Sequence, residues 1–162
     1  MRIGVIGDTH GYVERALKLL KQLEPLDMVL HTGDHYRDAG QLARVIPVPV
    51  KAVAGNCDPL KSGPAEELLQ LAGKRILLTH GHLYQVHHSL QKLMYRALEL
   101  QADVVVFGHT HVRYNQAHEG ILFFNPGSVY HPRQDYGPGC GLLVIDGREV
   151  SAGFCELERR QL

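Results

Sequence analysis

The sequence predicts an α/β domain in which helices cover a largely parallel sheet and a second sheet packs against the first. Three observations predict it. Strand-like and helix-like segments alternate through the first half of the 162-residue chain, and β-hairpins dominate the second half. Five separate apolar runs end in glycine-flanked Asp, Asn or His residues. Ligands of such sheets gather beyond the carboxyl ends of the strands, so all five endings are expected along one edge.

The elements can be justified in order. RIGVIG (2–7) reads as a strand stopped by the turn-prone GDTHG. Over 12–23, Val13, Ala16, Leu17, Leu20 and Leu23 share one helical face, and Pro25 follows the helix end. Residues 27–34 form a second strand running into Gly-Asp, 37–46 a short helix weakened at Gly40, and 49–58 a third strand. Residues 66–82 read as two strands joined at Ala-Gly-Lys, the second ending in Thr-His-Gly-His. Leu90, Leu93, Met94, Ala97 and Leu98 give helical spacing over 87–101. The strand DVVVF then runs into Gly-His-Thr-His. Hairpins follow at 112–125, turning at Glu119-Gly120, and at 140–158, turning at Asp146-Gly147.

Composition narrows the function classes. The length suits one domain over residues 1–162, burying roughly 70% of the surface its unfolded chain exposes. Seventeen basic residues balance 17 acidic ones, which argues against a broad nucleic-acid footprint or an anionic membrane surface. Apolar runs fall short of the ~20 residues of a membrane span, and the interrupted N-terminal run is expected to be a strand rather than a secretory signal. Cys57, Cys140 and Cys155 lack CxxC spacing, so a reducing cytoplasm is the expected setting. Apolar residues on the predicted hairpins leave room for a homo-oligomer, with no interface identified. The unusual count is histidine: 11 of them, with no tryptophan, and most stand just after apolar runs.

Taken singly, the strand endings are weak signals, because Gly-Asp, Gly-Asn and Asp-x-His are common polar turns. Their conjunction is the argument. Asp8 and His10, Asp34, Asn56, His80, and His109 and His111 form five fragments, each after a separate apolar strand and each beside a glycine that permits a tight turn. Two carboxylates, one amide and four imidazoles are too nitrogen-rich for a dedicated Ca²⁺ or Mg²⁺ cage. Seven donors exceed the needs of one first-row ion and suit two, with one carboxylate bridging. Two dications against two carboxylates leave positive charge for a hydroxide and a phosphate oxyanion, the conditions of phosphoester hydrolysis at a dinuclear centre. Glycosidase, Ser-His-Asp and P-loop chemistries lack a matching constellation.

At these residues the chain resembles the calcineurin-like metallophosphoesterases, and within them the small single-domain phosphodiesterases of bacteria and archaea. The order Asp-x-His, Gly-Asp, Gly-Asn, His and Gly-His-x-His carries the resemblance from residue 3 to about 145, with NPGSV (125–129) in support. It implies a four-layer αββα sandwich, two mixed β-sheets flanked by helices. It also implies that Asp8, His10 and His111 hold one ion, that Asn56, His80 and His109 hold the other, and that Asp34 bridges them. Mn²⁺ is the implied metal, with Ni²⁺, Fe, Co²⁺ or Zn²⁺ suited to the same donors. The implied substrate is a small phosphodiester, attacked by a hydroxide generated on the metals.

One departure bears on the substrate. Many members follow Gly-Asn with a histidine that protonates the leaving group, whereas Cys57 and Asp58 stand here. A thiol beside dications ionises more readily than it acts as an acid, so diesters and activated esters are expected over ordinary monoesters. The competing reading makes Cys57 a small packed residue. His82 is expected to touch phosphate or support a ligand, and is the candidate catalytic residue. His31 is expected to be a core or hydrogen-bonded histidine, and His35 to line the pocket. His87 and His88 are expected to begin a helix and His118 to sit on a hairpin, all three on the surface. Arg133, in the loop 130–139, is a candidate phosphate contact, and NPGS a turn that supports the metal loops. A phosphomonoesterase on the same site and a non-catalytic protein-binding scaffold of the same fold are the alternatives.

Overall fold

The computed structural model describes residues 1–157; position 158, the last of the second predicted hairpin, lies outside the described residues. Ten strands form two five-stranded sheets. In the first, β1 (Arg2–Ile6), β2 (Met28–His31) and β3 (Val50–Ala52) run parallel, and the hairpin of β9 (Gly139–Asp146) and β10 (Glu149–Glu156) joins β1 antiparallel. In the second, β5 (Lys74–Thr79), β6 (Val104–Val106) and β8 (Ile121–Asn125) run parallel. There β4 (Glu66–Leu71) and β7 (Tyr114–His118) close the edges as antiparallel hairpin arms. The largely parallel sheet read from residue pattern alone is thus corrected. Both sheets are mixed, because each short hairpin turn forces its second strand antiparallel.

The apolar runs lack strict alternation because both faces of each sheet are covered. Ile3, Val5, Leu30, Ile76, Leu78, Val104, Val106, Phe124, Leu143 and Ile145 point between the sheets and fill the central layer. The intervening residues point outward. Ile6 and Val29 meet Ala16, Leu19 and Leu20 of α1 (Val13–Lys21) and Leu42 of α2 (Tyr36–Leu42). Leu77, Val105 and Phe123 meet Leu93 and Ala97 of α3 (Gln91–Glu99). The layers are therefore α, β, β and α.

Several boundaries differ from the sequence expectation, among them the third strand, which covers Val50–Ala52 rather than 49–58. The second helix stops at Leu42 rather than 46; Ile46 precedes Pro47, whose ring disfavours helical backbone at the residue before it. The last helix begins at Gln91, not 87. His87 and His88 instead follow a single 3₁₀ turn (His82–Tyr84) that ends at Gln85 with φ 55°. The β9–β10 turn is Gly147-Arg148, one residue later than expected, since Asp146 pairs with Glu149.

The central layer sets the stability. Leu78→Ala, at a fully buried site between the sheets, is expected to cost about 2–5 kcal/mol in urea unfolding. Leu83→Ala, on an exposed turn residue, should stay within about 0.5 kcal/mol of wild type. Equal losses at the two positions would contradict the assignment of the core.

Candidate metal centre

The carboxyl ends of β1, β2, β3, β5 and β6 converge at one rim, and the chain leaves each through a residue of the predicted set. Asp8, His10, Asp34 and His111 place one ligand atom each within 4.8 Å of one another. Asp8 and His80 are fully buried and Asp34 nearly so. Asn56 and His109 join through His80: His80 Nε2 lies 3.1 Å from Asn56 Oδ1, and the His80 and His109 rings are 5.0 Å apart. Adjacent histidines therefore face different halves of the cluster. His111 Nε2 stands 3.1 Å from Asp8 Oδ1, while His109 turns to His80. Asp34 lies between the halves, with Oδ2 3.5 Å from His10 Nε2 and Oδ1 3.4 Å from His80 Nε2.

Backbone geometry explains the residue types. Asp8, His10, Asp34, His109 and His111 all have positive φ, between 44° and 68°, a region that Asp and His enter more readily than branched residues. Each such residue stores about 1–3 kcal/mol of strain, the kind that clusters at functional sites. Two glycines are required by contact rather than by φ. A Cβ at Gly55 would stand 2.1 Å from Asp34 Oδ1, and one at Gly108 would stand 2.5 Å from Thr32 Oγ1 and 2.9 Å from Asp8 Oδ2.

Hydrogen bonds fix the tautomers. His80 Nδ1–H donates to the Thr32 carbonyl at 2.9 Å, and His111 Nδ1–H donates to the His131 carbonyl at 2.8 Å. A carbonyl can only accept, so each ring in its neutral form turns the Nε2 lone pair toward a carboxylate oxygen. Neither Asp8 oxygen, nor His10 Nε2, takes part in a well-aligned hydrogen bond, although all three atoms are buried. Nitrogen and oxygen donors converging at 3.1–3.5 Å suit a shared cation. The nitrogen and oxygen donor set fits a divalent transition metal.

The ionisation shifts follow from the same crowding. Burial, reinforced by His80 and His87, lowers His109 to about 4. Burial also lowers His10 against the opposing pull of Asp34 and Asp8. For His111, the burial penalty is outweighed by Asp8, and its pKa rises. For Asp34, the burial penalty is outweighed by His80 and the Cys57 amide, and its pKa falls. Burial and the Asp34 carboxylate push the Cys57 thiol up to about 11, so the protein by itself keeps it protonated; ionisation of this thiol would need dications beside it. The Cys57 amide donates to Asp34 Oδ1 at 2.9 Å.

The remaining candidates are distributed around this cluster. His82 opens the 3₁₀ turn with its ring 5.3 Å from that of His80; its Nδ1 is buried without a partner, and burial and then His80 lower its pKa. The His35 ring lies 5.0 Å from that of His10. His87 is exposed, as expected, yet its ring packs 4.2 Å from that of His109. His118 stays on β7 against Tyr114 and Phe123. The Arg133 amide donates to the His111 carbonyl at 3.2 Å. In the NPGS turn, Asn125 donates to the Gly108 carbonyl and Ser128 to that of Asp8, bracing two metal loops.

Sequence reading missed a buried support. His31 accepts from the Gly33 amide at Nδ1, so its Nε2–H donates to Thr9 Oγ1; Thr9 in turn donates to Asp38 Oδ2 at 2.7 Å. Asp38 also accepts from the Gly11 amide at 2.7 Å. Asp58 does the same for the third loop, accepting from the Gly55 and Tyr36 amides. Nothing local distinguishes Asp38 from any polar helix residue, and Asp58 reads as an ordinary turn residue.

Comparison with known proteins places this arrangement. The model of the calcineurin-like phosphoesterase superfamily domain matches residues 1–148. The probable metallophosphoesterase YsnB of Bacillus subtilis is 34% identical over 155 residues, covering 95% of this chain and 90% of its own. The phosphodiesterase YfcE of Escherichia coli is 33% identical, covering 94% and 92%. Among solved structures, a predicted phosphoesterase of Streptococcus pneumoniae superimposes with a TM-score of 0.79 at 28% identity, over 96% of this chain and 88% of its own. Zinc-complexed Vps29 of Entamoeba histolytica superimposes at 0.78 with 26% identity, over 95% and 91%.

The buried support predicts a pH dependence of stability. Burial holds His31 neutral, lowering its pKa from 6.5 to about 4. The unfolded state therefore takes up the proton first, and stability present above pH 6.5 is lost as the pH falls toward 4. This one group should remove about 2 kcal/mol between pH 7 and pH 5 in urea unfolding of metal-free protein. His31→Gln should flatten that loss, and an unchanged slope would contradict the assignment.

Proposed function

The chain belongs to the calcineurin-like phosphoesterase superfamily, and from that premise we propose that it is a dinuclear metal-dependent phosphodiesterase. The observation that carries the reading is the convergence of the His80 and His111 Nε2 atoms on the buried carboxylates of Asp34 and Asp8, at 3.4 and 3.1 Å. Asp8, His10 and His111 would hold one ion, and Asn56, His80 and His109 the other. Asp34, with one oxygen toward each half, would bridge them. Two divalent ions, Mn²⁺ in our reading, supply Lewis acidity at the phosphoryl oxygens and a water nucleophile at neutral pH.

The protein's own groups do the rest. The carbonyls of Thr32 and His131 hold the His80 and His111 rings in the tautomer that leaves Nε2 free. His82, whose buried Nδ1 has no partner and whose ring lies 5.3 Å from that of His80, would touch a phosphate oxygen as the catalytic residue outside the ligand set. Where the wider superfamily is expected to have a histidine acid, this chain has Cys57, a thiol that dications beside it would ionise. Leaving groups that need protonation should therefore depart slowly, which favours diesters and activated esters. The name of the relative YfcE, a phosphodiesterase, supports that preference. One domain over 1–162, acting in the cytoplasm, completes the proposal; no described helix is long and apolar enough to cross a membrane.

Metal-stripped protein resupplied with Mn²⁺ should hydrolyse bis(p-nitrophenyl) phosphate and leave p-nitrophenyl phosphate nearly untouched. Comparable monoester turnover would make it a phosphomonoesterase. Asp34→Ala and His109→Ala should each lower diester turnover by more than about a hundredfold, and unchanged turnover would refute the site. Because a zinc-complexed Vps29 shares the fold, metal binding without hydrolysis of either ester would favour the scaffold reading.

A further inference from the structure

A hollow of about 260 Å³ opens beside His109 and His111. Leu90, Phe107, Val112 and Tyr114 supply its walls, and His87 and Arg133 stand on its lining with them. It adjoins the loop that carries His109 and His111. Thr110, which also lines it, is the residue between His109 and His111. The His87 ring lies 4.2 Å from that of His109, and the Arg133 amide is bonded to the His111 carbonyl. Arg133 lines the hollow beside His87 and Thr110, so a cationic residue stands at its edge.

We propose that this hollow is the subsite for an apolar, ring-sized ester group of the phosphodiester, with Arg133 drawing the phosphate to its mouth. The inference rests on the phosphodiesterase reading and adds the substrate class to it. Size decides how much of a substrate enters. Pockets that enclose whole ligands start at about 300 Å³, so this one takes a single substituent. Chemistry decides which kind. Beside its aliphatic and aromatic walls, the polar groups on the lining are His87, Thr110, Tyr114 and Arg133, and no carboxylate or amide side chain is among them. Tyr114 is already engaged, its hydroxyl meeting Gln116 and His118. A glyceryl or sugar group would lose hydrogen bonds to water on entering, whereas a phenyl or short alkyl group would lose none. The apolar wall and the adjoining cation together match an ester with an apolar end and an anionic centre.

Binding tests this without relying on turnover. The Mn²⁺-supplemented protein would be titrated calorimetrically with phenylphosphonate and with methylphosphonate, which share the anionic group and differ in the apolar one. Phenylphosphonate should bind about tenfold more tightly. Leu90→Trp, which fills the hollow, should erase that preference and leave methylphosphonate binding intact. If Leu90→Trp loses both ligands, Val112→Phe, at a second wall position, replaces it. Equal affinity of wild type for the two ligands would overturn the proposal, as would a preference that survives the filling variants. Diester hydrolysis without any preference would sink the subsite alone. A preference without hydrolysis would leave the subsite standing and sink the phosphodiesterase reading.

Discussion

Two carboxylates buried at the rim where the sheets meet are the constraint on which the site depends. A carboxylate taken out of water is costly unless opposite charge or several donors attend it. The basic side chains beside Asp8 and Asp34 are the imidazoles of His10, His80 and His111 rather than lysine or arginine. Two of those rings are turned by backbone carbonyls so that they offer a lone pair instead of a proton. Such an arrangement opposes its own assembly in the absence of cations, and the fold has to hold it in place.

The restraint comes from both sheets. Parallel strands of each bring their carboxyl ends to the same edge, and Gly55 and Gly108 allow the loops to close until side chain meets backbone. Positive-φ residues in three loops turn the donors inward at a cost in strain. The His31–Thr9–Asp38 chain and the NPGS turn tie those loops to one another through buried hydrogen bonds. Such supports are the usual means by which a protein keeps ligand geometry against local preference.

The strand endings were legible because glycine, a buried apolar run and a metal-type side chain coincide in short windows. The hairpin turn at Glu119-Gly120 was legible for a similar reason. The start of α3 was not: the leucine spacing persists from Leu90, but Gln85 takes a left-handed conformation that detaches His82–Tyr84 from the helix. Asp38 and Thr32 were invisible because their roles exist only across elements distant in the chain. His87 was read as a surface residue from its place alone; it is exposed, yet the 3₁₀ turn brings its ring against His109.

The central claim is that the seven donors hold two ions, and the stoichiometry of metal binding tests it most directly. Metal-free protein would be dialysed to equilibrium against Mn²⁺ and its bound metal measured by inductively coupled plasma mass spectrometry. The account predicts two ions per chain, falling to one or fewer in Asp34→Ala, because both halves use that carboxylate. One ion in wild type, or two that survive loss of Asp34, would contradict it.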